Sequence, residues 1–187
     1  MLFKVTIAKR CKSMLIYSVL QLHDMLIMKI TVLNHQRTYS TDTKAVKRLA
    51  NALGLLAQKR TPDELWQEVT IHLLSDATII PINQAIMQHE GPTDVITQRY
   101  DPTPGEPEGL IGELFINVQR ACTIPRKKGW TRQQELALYL AHGFDHLTGA
   151  DDATPQQRAA MRRRERGWLE LTRDYISGLL RGRTSRT

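Results

Sequence analysis

Cysteine is nearly absent from this 187-residue chain: Cys11 and Cys122 are the two, 111 positions apart. They form no C-x-x-C pair, which excludes a disulfide framework and a cysteine zinc site and fits a reducing compartment, the cytoplasm. No run of 18 apolar residues occurs, so a membrane-spanning helix is not expected. Internal repeats and low-complexity tracts are missing too. What is present has ordinary globular proportions, 41% hydrophobic and 24% charged residues, enough in a chain of this length to bury a core without staples.

The net charge of +7 is unevenly distributed. Residues 1–27 carry +3, residues 155–187 carry +6 from nine arginines and three acids, and the body between them carries −2. A basic arm can neutralise phosphates. The same arginines would also serve as a solvated helix face, and charge alone does not choose between the two.

Residues 1–27 read as an N-terminal extension without chemistry: Lys4, Lys9, Arg10 and Lys12 precede a short apolar stretch, and no A-x-A cleavage site follows. An export signal is the weaker reading, and Met25 and Met28 are alternative starts. From Met28 the chain alternates. A strand over 29–33 leads to a helix from about Asp42 with Ala45, Leu49, Leu53 and Leu56 on one face. Val69–Leu74 reads as strand, Ser75-Asp76 as the start of a short helix, and Asp94–Thr97 as strand. A Pro/Gly-rich loop over 102–109 precedes a strand over 110–117. Thr131-x-x-Gln134 is a capping box opening a helix to about Leu147, and Thr154-Pro155 opens the last helix, with Trp168, Leu169, Thr172, Ile176 and Leu179 as its stripe. The expected fold is one α/β (α+β) domain over 28–175, a small mixed sheet of about four strands packed with helices, followed by a basic tail over 176–187.

Chemistry concentrates in Ala141-His142-Gly143-Phe144-Asp145-His146-Leu147-Thr148-Gly149-Ala150-Asp151-Asp152. His142 and His146 are four apart near a helix end, so both imidazoles project from one face as a chelate suited to a borderline metal such as zinc. Gly149 can end the helix at positive φ and turn the chain back. That turn brings Asp151 or Asp152 within reach as an oxygen ligand, leaving a fourth position for water, as in catalytic sites. The H-E-x-x-H peptidase motif is not met, because its glutamate position is Gly143.

This segment resembles the H-G-x-x-H-x-x-G-x-D-H signature of the YbeY family of rRNA-maturation endoribonucleases, with Asp152 in place of the last histidine. Gly91–Thr97 is similar to that family's P-T-D-V-L-S strand and Ile111–Ile116 to its L-G-D-I-x-I strand, so the likeness covers roughly residues 28–175. The resemblance implies one divalent metal, most commonly zinc, held by His142, His146 and Asp152. Asp151 or Asp145 ligating in place of Asp152 is the competing reading. Asp145 stands where the family has an apolar residue. It is a weak candidate for a base at the site edge, and a solvent-facing role is preferred. The family's phosphate-handling arginine aligns with Met87, so its charge would come from His89, Arg99 or a residue of the basic tail; separately, Arg162, Arg163, Arg164 and Arg166 form the best RNA-binding patch of the sequence. Thr97 and Gln98 replace the family's serine and phenylalanine.

The remaining candidates have plainer readings. His72 belongs to a strand, His23 and His35 to the surface, and Trp66, Trp130 and Trp168 are packing anchors at helix starts or faces rather than base-stacking platforms. The resemblance implies a metal-dependent, single-strand-preferring endoribonuclease in rRNA maturation and ribosome quality control, with rRNA and ribosomal subunits as partners and no membrane. The alternatives are a ribosome-associated assembly factor with faded activity, for which Met87 is the motive, and another metal hydrolase such as a peptidase.

Overall fold

The computed structural model describes residues 28–101, 109–125 and 128–181; the N-terminal extension, most of the Pro/Gly-rich loop and the last six residues lie outside the described residues. The elements run β1 (Lys29–Asn34), α1 (Thr43–Gln58), β2 (Trp66–Leu74), α2 (Asp76–Met87), β3 (Val95–Tyr100), β4 (Leu110–Asn117), α3 (Val118–Thr123), α4 (Arg132–Leu147) and α5 (Pro155–Leu171), then a short 3-10 turn over Arg173–Tyr175. The four strands form one mixed sheet in the order β1-β2-β4-β3. β1, β2 and β4 are parallel, and β3 runs antiparallel to β4 at the edge. This is the α+β architecture anticipated from the alternating pattern, with the metal motif at the end of a long helix.

Local chemistry explains the boundaries. Asp42, Thr131 and Thr154 cap α1, α4 and α5 by accepting backbone N–H bonds, the last two in full capping boxes. β2 begins at Trp66, so that tryptophan anchors a strand rather than a helix; an irregularity between Trp66 and Glu68 breaks the alternation that would have revealed it. α3 is an element the pattern did not show: six residues are too few to express a helical period. α5 ends at Leu171, short of Ile176 and Leu179, yet Leu179 is fully buried and Arg181 pairs with Asp42 at 3.1 Å. Residues 176–181 are therefore packed onto the start of α1 and do not form a free tail.

The core lies between the sheet and the α1–α4 layer, where Val69, Ile71, Leu73, Leu114 and Ile116 meet Leu49, Leu53, Leu136, Leu140 and Phe144. Two glycines let α4 press directly on the sheet. A Cβ at Gly143 would sit 2.9 Å from Leu114 Cδ2, and one at Gly112 would sit 2.8 Å from Leu147 Cδ1. Gly143 thus faces the sheet, so the absence of a peptidase glutamate there has a packing cause. The close approach also fixes which face of α4 remains for chemistry.

Candidate metal centre

α4 presents Glu135, Leu138, Tyr139 and His142 along one stripe, spaced three and four apart as neighbours on a helix must be. α5 presents Arg158, Met161, Arg162 and Glu165 opposite them. Asp94, from the loop before β3, and Asp152, from the α4–α5 turn, complete a cavity of about 260 Å³. Gly149 takes φ 79° directly after α4, and its N–H bonds to the His146 carbonyl at 2.9 Å. This is the left-handed turn the sequence required. The turn delivers the Ala150 carbonyl to His146 Nδ1 at 2.9 Å and brings Asp152 to the cavity.

His142, His146 and Asp152 each offer a ligand atom within 4.8 Å of the others. His142 Nδ1–H donates to Glu165 Oε1 at 2.7 Å, and His146 Nδ1–H donates to Ala150 O. Those bonds set both tautomers, leaving Nε2 of each ring as a bare lone pair, and the two Nε2 atoms face each other at 3.1 Å. Two lone pairs at that distance repel unless a cation or a proton lies between them. The cavity wall carries four carboxylates (Asp94, Glu135, Asp152 and Glu165) against the guanidinium groups of Arg158 and Arg162, so a divalent cation also suits its charge. The donor set therefore fits a metal. Burial disfavours the charged imidazole of His142, but the Glu165 hydrogen bond and the charges of Glu165, Asp94 and Asp152 outweigh it and raise its pKa. Tyr139, whose hydroxyl is buried without a hydrogen-bond partner, is driven well above the usual phenol range by burial and then by Asp94 and Glu135.

The structure places the other sequence candidates apart. Asp151 is exposed and turns its carboxylate to the Asp152 N–H at 2.8 Å. Asp145 does not face water: it is wholly buried three residues after His142 on α4, gripped by Arg164 at 2.9 Å and approached by Arg60 at 3.7 Å. Helix-surface statistics failed because its partners lie 19 and 85 residues away in sequence. Arg164 is accordingly committed to the interior rather than to the arginine patch. Arg99 bonds Glu64, Asp101 and the Leu147 carbonyl. Arg163 is exposed, Arg162 lines the cavity, and Arg166 lines an adjoining one. Met87 is half exposed at the end of α2 and His89 is exposed; neither lines the cavity.

Two residues that build this cavity's surroundings escaped the sequence reading. Glu165 orients His142, and its signal was available: in an arginine-rich run it shares the inward stripe of Met161, Trp168 and Leu169. Asn117 is fully buried and ties the Asp94 loop to the sheet. Its N–H donates to Asp94 O, its Nδ2 donates to Thr93 O and Asp76 Oδ1, and its Oδ1 accepts from Arg120 N.

Comparison with known proteins gives the family and the fold. The family model described as Endoribonuclease YbeY matches residues 31–173. A protein of Rhodopirellula baltica named Endoribonuclease YbeY is 39% identical over 103 residues, covering 55% of this chain and 53% of its own length. One of Nocardioides with the same name is 32% identical over 72% of this chain and 91% of its own, and one of Leifsonia xyli is 29% identical over 79% and 94%. A solution structure of a Thermotoga maritima protein superposes with a TM-score of 0.51 at 19% identity, covering 84% of this chain and 99% of that one. It shows a shared fold.

Proposed function

The chain belongs to the Endoribonuclease YbeY family, and from that premise we propose that it hydrolyses RNA phosphodiester bonds at a divalent ion held by His142, His146 and Asp152. The observation that carries the reading is the pair of converging Nε2 atoms with both Nδ1 atoms already engaged. Bound there, the ion supplies Lewis-acid polarisation of a phosphoryl oxygen. Two imidazoles and one carboxylate make zinc the first choice, with the carboxylate shifting preference toward harder ions than three imidazoles would.

The protein's own groups do the rest. Glu165 fixes the His142 tautomer and the Ala150 carbonyl fixes that of His146. Arg158 donates to the carbonyls of Asp152 and Ala153 at 2.7 and 2.9 Å, which pins the turn carrying the third ligand. Arg162 reaches the same cavity with no ion pair among the described residues, so it supplies the phosphate-binding charge that position 87 lacks. rRNA and the ribosomal subunits are the substrate and partner this reading names, in the cytoplasm. No helix among the described residues is long and apolar enough to cross a membrane.

The test is elemental analysis of the native protein, paired with cleavage of labelled rRNA by wild type and His142→Ala, with casein as a control. Metal and RNA cleavage should both fall in the variant. Equal metal in both proteins would sink the site assignment. Cosedimentation with ribosomes but no metal-stimulated cleavage would favour an assembly role, and proteolysis without RNA cleavage a peptidase.

A further inference from the structure

A second cavity of about 560 Å³ adjoins the metal centre, and Glu135, Leu138, Arg162 and Glu165 belong to the walls of both. Its remaining lining is Pro125, Trp130 and Arg166. The volume lies within the range of small-molecule pockets, ~300–1,000 Å³. Trp130 stands immediately before the cap of α4, and its indole N–H donates to Glu135 Oε2 at 2.7 Å, which fixes the ring against the cavity. Both acids in this wall already accept hydrogen bonds, Glu135 from Trp130 and Glu165 from His142. The guanidinium groups of Arg162 and Arg166 have no such commitment among the described residues. An aromatic ring with an apolar floor and two cations unpaired among the described residues is the chemistry that binds an unpaired nucleotide, the base stacking and the phosphate pairing.

We propose that this chamber is a nucleotide subsite: it takes the base of a single-stranded RNA residue next to the scissile phosphate, stacked on Trp130, with Arg162 and Arg166 holding the flanking backbone. The inference rests on the endoribonuclease reading. It gives that reading a physical source for single-strand preference, because a base paired in a duplex cannot turn its face to the indole. It also adds a stacking role to Trp130, which is partly buried against the core, while Trp66 and Trp168 stay buried.

Binding of a fluorescent oligoadenylate octamer and of the same backbone without bases tests it, alongside cleavage of labelled rRNA. Wild type should hold the octamer about tenfold tighter than the abasic backbone, and the octamer should quench tryptophan emission. Trp130→Ala should collapse that ratio toward one by weakening the octamer alone. Trp130→Phe should keep most of the ratio and lose the quenching. Arg162→Glu should weaken both ligands together. Should Trp130→Ala not fold, the wild-type quenching and its loss in Trp130→Phe still decide. An unchanged ratio in Trp130→Ala, or quenching that survives in Trp130→Phe, overturns the subsite. If wild type cleaves rRNA despite that, the endoribonuclease reading stands without it; if wild type neither binds nor cleaves RNA, both fall.

Discussion

α4 and α5 meet through two polar contacts that lie less than one turn apart on α4 and behave in opposite ways. His142 meets Glu165 at 2.7 Å, and three residues on, Asp145 meets Arg164 at 2.9 Å. The Asp145 contact is saturated. Arg164 places Nε 3.0 and 3.1 Å from both carboxylate oxygens, Arg60 approaches as well, and the aspartate has no exposed surface. The His142 contact is unfinished, because Glu165 engages one ring nitrogen and thereby frees the other for the cavity. The same helix pair thus builds a structural clamp and the candidate ligand site. What separates them is whether the partner leaves a lone pair unused.

The largest effect should come from removing a ligand beside the unfinished contact. Asp152→Ala should weaken metal binding by well over tenfold, because a whole coordinating bond is lost where changes in outer partners alone cost about 10–100-fold. The metal-free melting temperature should move by less than about 2 °C, since Asp152 is only partly buried. Asp152→His should restore binding with a shift toward softer ions. Titration with zinc and manganese reads both. If Asp151→Ala lost the ion and Asp152→Ala kept it, the assigned register would be off by one.

At the saturated contact the loss should be stability rather than affinity. Asp145→Ala strands Arg164 in a poorly solvated position and should cost about 2–4 kcal/mol, discounted because Arg164 keeps 27% of its side chain exposed. The double change Asp145→Leu with Arg164→Leu should recover most of that. Urea unfolding of the metal-free protein measures it. A double variant no better than Asp145→Ala would mean that the ion pair is not the cause.

Sequence showed the surroundings of the unfinished contact far better than the saturated one, and the reason is physical. His142, His146, Gly149 and Asp152 lie within eleven residues, so helix geometry and one turn dictate their meeting. The caps at Asp42, Thr131 and Thr154 are equally local. Asp145 depends on Arg60 and Arg164, and Glu165 on a histidine 23 residues earlier. Such pairs become visible once the helices are docked. The Trp130 chamber is of this kind too, because it needs α5 laid against the start of α4.

Glu165 itself sharpens the comparison at a smaller scale. Glu165→Gln keeps a carbonyl to accept His142 Nδ1–H but removes the charge, so metal affinity should fall by about tenfold, the low end for an outer partner. Glu165→Leu removes the acceptor and should fall further. Competition with a chelator of known affinity separates the two. Equal affinity in wild type and Glu165→Leu would show that His142 needs no partner to hold its tautomer.

The smallest effect tests whether a histidine outside the helix pair behaves like either contact. His72 lies on the sheet side away from α4, stacked on Phe115, 3.1 Å from His35 and 3.5 Å from Glu113. Its pKa is lowered from 6.5, chiefly by burial and further by His35, although Glu113 opposes this. A base whose folded pKa lies below its unfolded value binds fewer protons when folded, so stability rises with pH. The His72 contribution is therefore complete above about 6.5 and is lost as pH falls from there toward the folded value. His72→Gln keeps a polar contact for Glu113 without a titrating ring. In metal-free protein it should flatten the melting curve between pH 7.5 and 5 by less than about 2 °C relative to wild type. A wild type that gained stability relative to His72→Gln as the pH fell would reverse the sign, making Glu113 stronger than burial at this site.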